Sequence, residues 1–532
     1  MPTLDFKGKQ FIYSHHHSVP FRELEIDEKK SLPAKGKKAG LDDNLIIHGD
    51  NLHALKALMP QYAGKIKCIY IDPPYNTGSE GWCYNDNVNS PLMKDWLAKH
   101  SNPVDKEDLQ RHDKWLCMMW PRLKLLHELL AEDGVIFVSI DDNEEAHIRI
   151  IMDEIFLEEN FMGKLPRRTK AGGGSAASDF AIEHDYVLVF AKNKKEIKQL
   201  FVPHDPEYAK RYKEEDDKGK YFWDTMERSS TATKPYKIEA PDGTMLSGKW
   251  FRSEETFKDD LQDGEVRFLN KKDGTWSVQF KQRIGQGRKI RSLIENEFKS
   301  NQDEFRAFGI KQDFAYPKPV SLLKELLRAA TEDDSIILDS FAGSGTTAHA
   351  VLDLNKEDGG NRKFILVEME DYADSTTAER VRRAIKGVPT AKDAKLKEGL
   401  GGSFAFCNLG KSINIEEIIT GETLPDYGAL AKYVFYTATG HSLAKEAKPK
   451  PDFFVGETDL YKVYLIYKPD IAFLRGNESA LNDAKLKAIA ERGSKKEKLV
   501  FSTAKYMGQK ELSDHNITFC QLPYAIHKVV GA

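Results

Sequence analysis

Cysteine is scarce in this chain. Its five residues, Cys68, Cys83, Cys117, Cys407 and Cys520, stand far apart with no CxxC pair. That spacing excludes a zinc ribbon and a disulfide framework, so no metal centre is expected from cysteine. Long apolar runs are missing as well. The longest, at 187–191 and 335–338, are far too short to cross a bilayer. The first residues carry no charged-then-apolar signal pattern, so no membrane association and a reducing cytoplasm are expected. Neither sign of charge is in excess: 79 Lys and Arg stand against 83 Asp and Glu, a net charge of −4. This balance excludes wholesale polyanion binding but allows a basic face on a neutral body. No glycine turn is followed by Lys-Thr or Lys-Ser, which excludes a phosphate-gripping loop.

What is present reads as a globular α/β protein. The 532 residues are 40% hydrophobic and 30% charged, enough for three or four domains or one large core with insertions. Residues 1–40 form a polar arm, charge-dense from Glu23 to Lys38, and the His15-His16-His17 run reads as part of a solvated loop. From 41 to 194 apolar strands alternate with helical spacing. Strands are expected at 45–47, 66–71, 135–140 and 186–190, with helices at 52–59, 115–130 and 144–156. Residues 195–312 lose this rhythm and turn polar and aromatic, as an inserted domain does. The rhythm resumes over 313–400, with strands at 335–338 and 363–367 and helices at 320–330, 346–354 and 378–385. Residues 401–532 read as a small C-terminal α/β unit. Alternation of this kind predicts a doubly wound, mostly parallel sheet.

Two strand ends carry chemistry. The first is Asp72-Pro73-Pro74-Tyr75, directly after the 66–71 strand. Two prolines fix φ and remove two backbone donors. The turn is stiff and presents carbonyl oxygens. Asp72 adds a carboxylate acceptor and Tyr75 an aromatic face. Such a loop suits a planar ring that carries an –NH₂ group. The second strand end runs through Asp339-Ser340-Phe341-Ala342-Gly343-Ser344-Gly345-Thr346, a strand, a glycine turn and a helix start. Its glycines let backbone approach a ligand closely. Glu368 ends the next strand, where a carboxylate commonly meets a ribose diol. A ligand with a ribose and no phosphate grip fits, and S-adenosylmethionine is one.

Basic residues cluster twice. Arg167, Arg168 and Lys170 border a glycine-rich stretch at 171–175, and Arg283, Arg288, Lys289 and Arg291 lie in the insertion. Clusters of this density suit phosphate contact. Trp223, Trp250 and Trp276 read as core of the inserted domain.

In this combination and order, the two motifs resemble those of the β-class amino-DNA methyltransferases, and most closely the modification subunits of Type III restriction-modification systems. The resemblance runs from about Asn44 to Leu400. It implies a Rossmann-like methyltransferase fold with a target-recognition domain between the motifs. It implies transfer of methyl from S-adenosylmethionine to adenine N6 in duplex DNA, with Asp72, Pro73, Pro74 and Tyr75 as catalytic residues and the base flipped out of the helix. Phe314, Tyr316 and Lys318 would flank the methionine part of the cofactor and Asp50 its adenine. Asp339, Phe341, Ala342, Gly343, Gly345 and Thr346 would form its loop, and Glu368 would hold the ribose. His184-Asp185-Tyr186 resembles a family position near the target base. Ser340 departs from the Phe or Pro usual after the aspartate. The implied partners are double-stranded DNA, a second copy of the chain and an ATP-dependent restriction subunit. Three alternatives stay open: a cytosine-N4 or RNA amino-methyltransferase, a methyltransferase with no restriction partner, and a catalytically idle DNA-binding subunit.

Overall fold

The computed structural model describes residues 3–78, 111–169, 180–198, 200–227, 235–285, 287–295, 301–311, 314, 316–412, 424–443, 447–491 and 495–522. They form two compact units, one spanning Leu200–Ile290 and one made of the rest of the chain. Lys170 and the 171–175 stretch lie outside the described residues.

The larger unit is built on a nine-stranded sheet. Its strands are β1 (Arg22–Ile26), β2 (Leu45–His48), β3 (Ile66–Ile71), β4 (Leu130–Ile140), β5 (Phe161–Arg168), β6 (His184–Ala191), β7 (Ile336–Asp339), β8 (Lys363–Glu368) and β9 (Ala405–Ser412). Their order is β1-β9-β2-β8-β7-β3-β4-β6-β5. The six central strands, β9 to β4, pair in parallel. The three outer ones are antiparallel to their inner neighbours. Central strands such as β3, Ile-Lys-Cys-Ile-Tyr-Ile, are apolar almost throughout, as expected where helices cover both faces of a parallel sheet.

The order reverses between β7 and β3. From β7 the chain winds through helix Thr346–Asp358 to β8 on one side; from β3 it continues through helix Arg111–Leu129 to β4 on the other. The two strands are paired, Ile337 opposite Cys68 and Leu338 opposite Ile69. A crevice therefore opens beyond their carboxyl ends, the usual ligand position of such folds. The fold class is the doubly wound, mostly parallel one expected.

The first forty residues are not the solvated arm expected. β1 pairs with β9 at the sheet edge. Ile12, Val19 and Phe21 are buried, and so are His15 and His16. Phe6 and Tyr13 pack on the Trp120 ring, and Lys56 donates to the His16 carbonyl at 2.9 Å. These short apolar runs show no period in sequence, yet tertiary packing buries them: Ile12 and Val19 join the main core, and Phe21 stacks on Tyr433. β9 likewise joins the main sheet. After it, Phe454–Glu457, Tyr461–Leu465, Glu497–Ser502 and Ile517–Gln521 form a separate four-stranded sheet.

The Leu200–Ile290 unit has a four-stranded antiparallel sheet made of Glu214–Asp216, Gly219–Thr225, Val266–Asn270 and Trp276–Arg283, and a hairpin, Pro235–Glu239 with Met245–Lys249. Met226, Ile238, Trp250, Phe257, Val278 and Phe280 form its core. Trp250 is buried as expected. Trp223 and Trp276 are only half-buried, and their indole N–H groups donate to Glu214 and Asp242. Among the described residues no helix is long and apolar enough to cross a membrane.

Candidate active site

The crevice beyond β7 and β3 encloses a cavity of about 510 Å³, within the usual range for small-molecule sites. Asp72, Pro74, Phe314, Lys318, the turn from Asp339 to Thr347 and Glu368 all line it. Two motifs about 270 residues apart thus face one space.

On the β7 side the glycine turn is pinned from several directions. Gly343 has φ 51 and Gly345 φ 77, the left-handed region that costs a side chain energy. A Cβ on Gly343 would stand 3.2 Å from the Phe314 ring, and one on Gly345 3.1 Å from the Thr377 carbonyl. The Asp339 carboxylate accepts from the Phe341 N–H at 3.0 Å and from the Thr347 hydroxyl. Glu368 accepts the Gly343 N–H at 2.7 Å, and Thr377 donates to the Gly343 carbonyl at 2.6 Å. Burial pushes the Asp339 and Glu368 carboxyls up to about 7, because an ionised carboxylate loses its hydration there.

On the β3 side the Asp72–Tyr75 loop is gripped from behind. Trp115, fully buried in helix Arg111–Leu129, donates its indole N–H to the Pro74 carbonyl at 2.7 Å. Lys318 arrives from the segment before helix Val320–Ala330. Its ammonium donates to Asp72 Oδ1 at 2.8 Å and to the Tyr75 hydroxyl at 2.6 Å, and lies 4.8 Å from the Tyr75 ring centroid. Burial first, and the Asp72 charge second, hold the Tyr75 phenol well above its ordinary range.

The lining is acidic. Asp50, Asp72, Asp339, Glu368 and Glu370 face only two cations, Arg122 and Lys318. Both cations are engaged: Arg122 pairs with Asp50 at 3.2 Å and Lys318 with Asp72. Such a cavity repels a polyphosphate and favours a ligand that is cationic or rich in hydroxyls.

Residues 66–379 match the family model described as DNA methylase. The chain belongs to this family. Curated relatives agree. It is 32% identical over 389 residues to the Type III restriction-modification enzyme StyLTI Mod subunit of Salmonella typhimurium, covering 70% of this chain and 59% of that protein. It is 29% identical over 491 residues to the EcoPI Mod subunit of Escherichia phage P1, covering 80% and 75%. It is also 29% identical over 378 residues to the Type II methyltransferase M.KpnI of Klebsiella pneumoniae, covering 65% and 84%. The chain thus spans 59% of the length of the StyLTI protein.

Several expected site residues make contacts their sequence reading did not give. Asp50 lines the cavity, but its carboxylate caps helix Asn51–Tyr62 through the Leu52 and His53 N–H groups and pairs with Arg122. Lys318 touches Asp72 and Tyr75. Tyr316 lines the cavity and is 86% exposed. Arg167 is no phosphate ligand in this structure: it is buried and forms a two-pronged pair with the buried Asp185, which stands opposite it across β5 and β6. Asp185 of the His184-Asp185-Tyr186 run is thereby committed. Arg283 is bound to Asp216 at 2.6 and 2.8 Å and to Glu265 at 2.7 Å. Arg168, Arg288, Lys289 and Arg291 are exposed, with Arg168 near Glu183 at 3.2 Å. Sequence reasoning missed Trp115, Arg122 and Thr377. Each acts across a long stretch of chain, and no local pattern marks it.

Proposed function

We propose that this chain methylates adenine N6 in duplex DNA, with S-adenosylmethionine in the crevice. The observation that carries the reading is that Asp72 Oδ1 and the Tyr75 hydroxyl already accept an N–H donor, the Lys318 ammonium, at 2.8 and 2.6 Å beside the glycine turn. The acidic lining and the close backbone approach at Gly343 fit a cationic ligand that carries a ribose. When bound, S-adenosylmethionine supplies an electrophilic methyl group.

The protein's part is positioning. Adenine N6 is a poor nucleophile because its lone pair is delocalised into the ring. Two acceptors that hold its hydrogens favour a tetrahedral nitrogen and free the lone pair. Asp72 is one acceptor. Trp115 occupies the Pro74 carbonyl, so the Pro73 carbonyl serves as the other. Tyr75 stacks on the flipped base. The incoming amine takes over the contact that Lys318 makes with Asp72, and Lys318 swings toward solvent or toward the cofactor. The methylated nitrogen sheds one proton, and Asp72, 25% exposed, passes it to water. Arrangements of this kind lower a barrier by several kcal/mol.

The Mod-subunit relatives support a Type III setting with a restriction subunit as partner, while one relative is a Type II methyltransferase; a homodimer and ATP dependence of that partner are part of this reading and rest on the family resemblance. Arg168, Arg288, Lys289 and Arg291 are the exposed candidates for DNA phosphate contact, with Lys170.

The test is transfer of labelled methyl to duplex DNA, followed by nucleoside analysis. N6-methyladenine is expected, and N4-methylcytosine alone would sink the base assignment. Asp72→Ala should abolish incorporation while calorimetry still shows cofactor binding. Undiminished transfer would remove Asp72 from the mechanism.

A further inference from the structure

One residue beyond Tyr75 the chain turns away from the crevice into a polar cluster that the methyl-transfer reading does not use. Asn76 sits at φ 60 and is fully buried. Its amide N–H donates to Glu144 Oε1. Glu144, also fully buried, stands immediately before helix Glu145–Phe156. Both its oxygens also meet imidazoles: His112 Nδ1 lies 2.6 Å from Oε1 and His147 Nδ1 2.8 Å from Oε2. The two rings are 5.0 Å apart between centroids, and the three ligating atoms all fall within 4.8 Å of one another. The rings are about one-third exposed, at 36% and 35%, so an ion can reach them from solvent.

Two imidazole nitrogens and one carboxylate form a donor set that first-row transition ions accept and that magnesium and calcium do not favour. Neighbouring ligands about 2.1 Å from such an ion stand roughly 3–3.5 Å apart; the imidazole nitrogens now hydrogen-bond opposite oxygens of Glu144 at 2.6 and 2.8 Å, so an ion replaces these contacts as the three atoms, already within 4.8 Å, draw around it. A second buried group lies beside the three, with its amide nitrogen, not its oxygen, facing Glu144 in this structure. Asn76 Oδ1 is buried and has no hydrogen-bond partner, a state that costs about 1–3 kcal/mol. Turning the amide over would aim this oxygen at Glu144. Oxygen facing carboxylate is repulsive when nothing lies between them and attractive when a cation does.

We infer that His112, Glu144 and His147 bind one divalent transition-metal ion, with Asn76 Oδ1 turned to support it. The ion fastens Asn76, and through it the end of the Asp72–Tyr75 loop, to helix Glu145–Phe156. It is a positioning site and does not touch the transferred methyl. This site does not depend on which base the protein methylates.

The test uses the full chain, stripped with a chelator and dialysed. Zinc is titrated in by calorimetry, and cobalt is followed by its visible absorption. One zinc equivalent is expected to lose at least about tenfold in affinity in His147→Ala and in His112→Ala, both at partly exposed positions, with circular dichroism confirming that each variant keeps its fold and the conservative His147→Gln read alongside. The cobalt band should be lost with it. His17→Ala removes a ligand from the other His and Glu group, His16, His17 and Glu128, and should leave that equivalent intact. The proposal is overturned if the stripped wild-type chain takes up no zinc. It is equally overturned if His147→Ala and His112→Ala bind zinc as tightly as wild type does.

Discussion

Trp115 offers a test of whether the Asp72–Tyr75 loop works by being held rigid. The indole is fully buried, and its N–H reaches the Pro74 carbonyl at 2.7 Å across 41 residues of sequence. Trp115→Phe keeps a ring in place and deletes the donor. The lost hydrogen bond and the partly buried carbonyl left behind cost about 1–2 kcal/mol, and the smaller ring adds about 1 kcal/mol of packing loss. More important is the release of the loop. A displacement of about 1 Å at a reacting centre can cost a factor of roughly 100 in rate. The expected outcome is a kcat for methyl transfer roughly 10- to 100-fold lower, an unchanged Kd for S-adenosylmethionine, and a denaturation midpoint lowered in line with about 2–3 kcal/mol. Steady-state transfer, calorimetry and urea unfolding read the three quantities. A variant that is destabilised yet keeps kcat within twofold of wild type would refute the reasoning, because Trp115 would then be packing alone.

Three further outcomes follow from the same geometry. Gly343→Val forces a β-branched residue to φ 51 with its Cβ 3.2 Å from Phe314; cofactor affinity should fall at least about tenfold, and an unchanged calorimetric Kd would place the cofactor elsewhere. Asp339 and Glu368, both pushed up to about 7 by burial, are largely protonated in the ligand-free crevice below that pH. A cationic ligand favours their ionised forms, so its binding expels protons there. The Kd should therefore fall roughly three- to tenfold as pH rises from about 6 to about 8, and calorimetry in buffers of different ionisation enthalpy should show proton release. A flat profile contradicts this. Arg167→Ala should cost about 3–5 kcal/mol of stability by stranding the buried Asp185, while leaving the salt dependence of DNA binding unchanged; a slope reduced by about one ion would show that Arg167 meets phosphate after all.

Four of the six central strands, β2, β3, β7 and β8, were legible because each is a short apolar run that ends in a turn; β4 showed only its apolar half from Val135, and β9 did not show as a strand of this sheet. β3 was read to the residue, since an almost unbroken run from Ile66 stops at two prolines. β7 and β8 were read to within a residue for the same reason. Burial of the first forty residues was hidden, because Phe11-Ile12-Tyr13 and Val19-Pro20-Phe21 are apolar runs too short to show a period, and partners such as Trp120 and Tyr433 lie on helices far along the chain. The role of Arg167 was hidden by its neighbours. Lys164, Arg167 and Arg168 look like one basic patch in sequence, but on a strand they alternate. Leu165 and Arg167 point inward and Arg168 points outward. The period of two was there to be read; the partner, Asp185, needed the register of β5 against β6.

The pairing of β3 with β7 also bears on how the protein comes into being. β3 meets β4 across a segment of fewer than seventy residues, but it meets β7 across about 270. Closing the longer loop costs about 1.2 kcal/mol more, two doublings of length at roughly 0.6 kcal/mol each. Long-range parallel pairings of this kind form late. Neither the strands before the Leu200–Ile290 unit nor those after it can build a ligand crevice alone. The two edges of the crevice meet only when β7 docks beside β3, so a chain emerging from the ribosome holds no working site until β7 and β8 have been made. Its first ability to bind ligand should coincide with that long-range docking step.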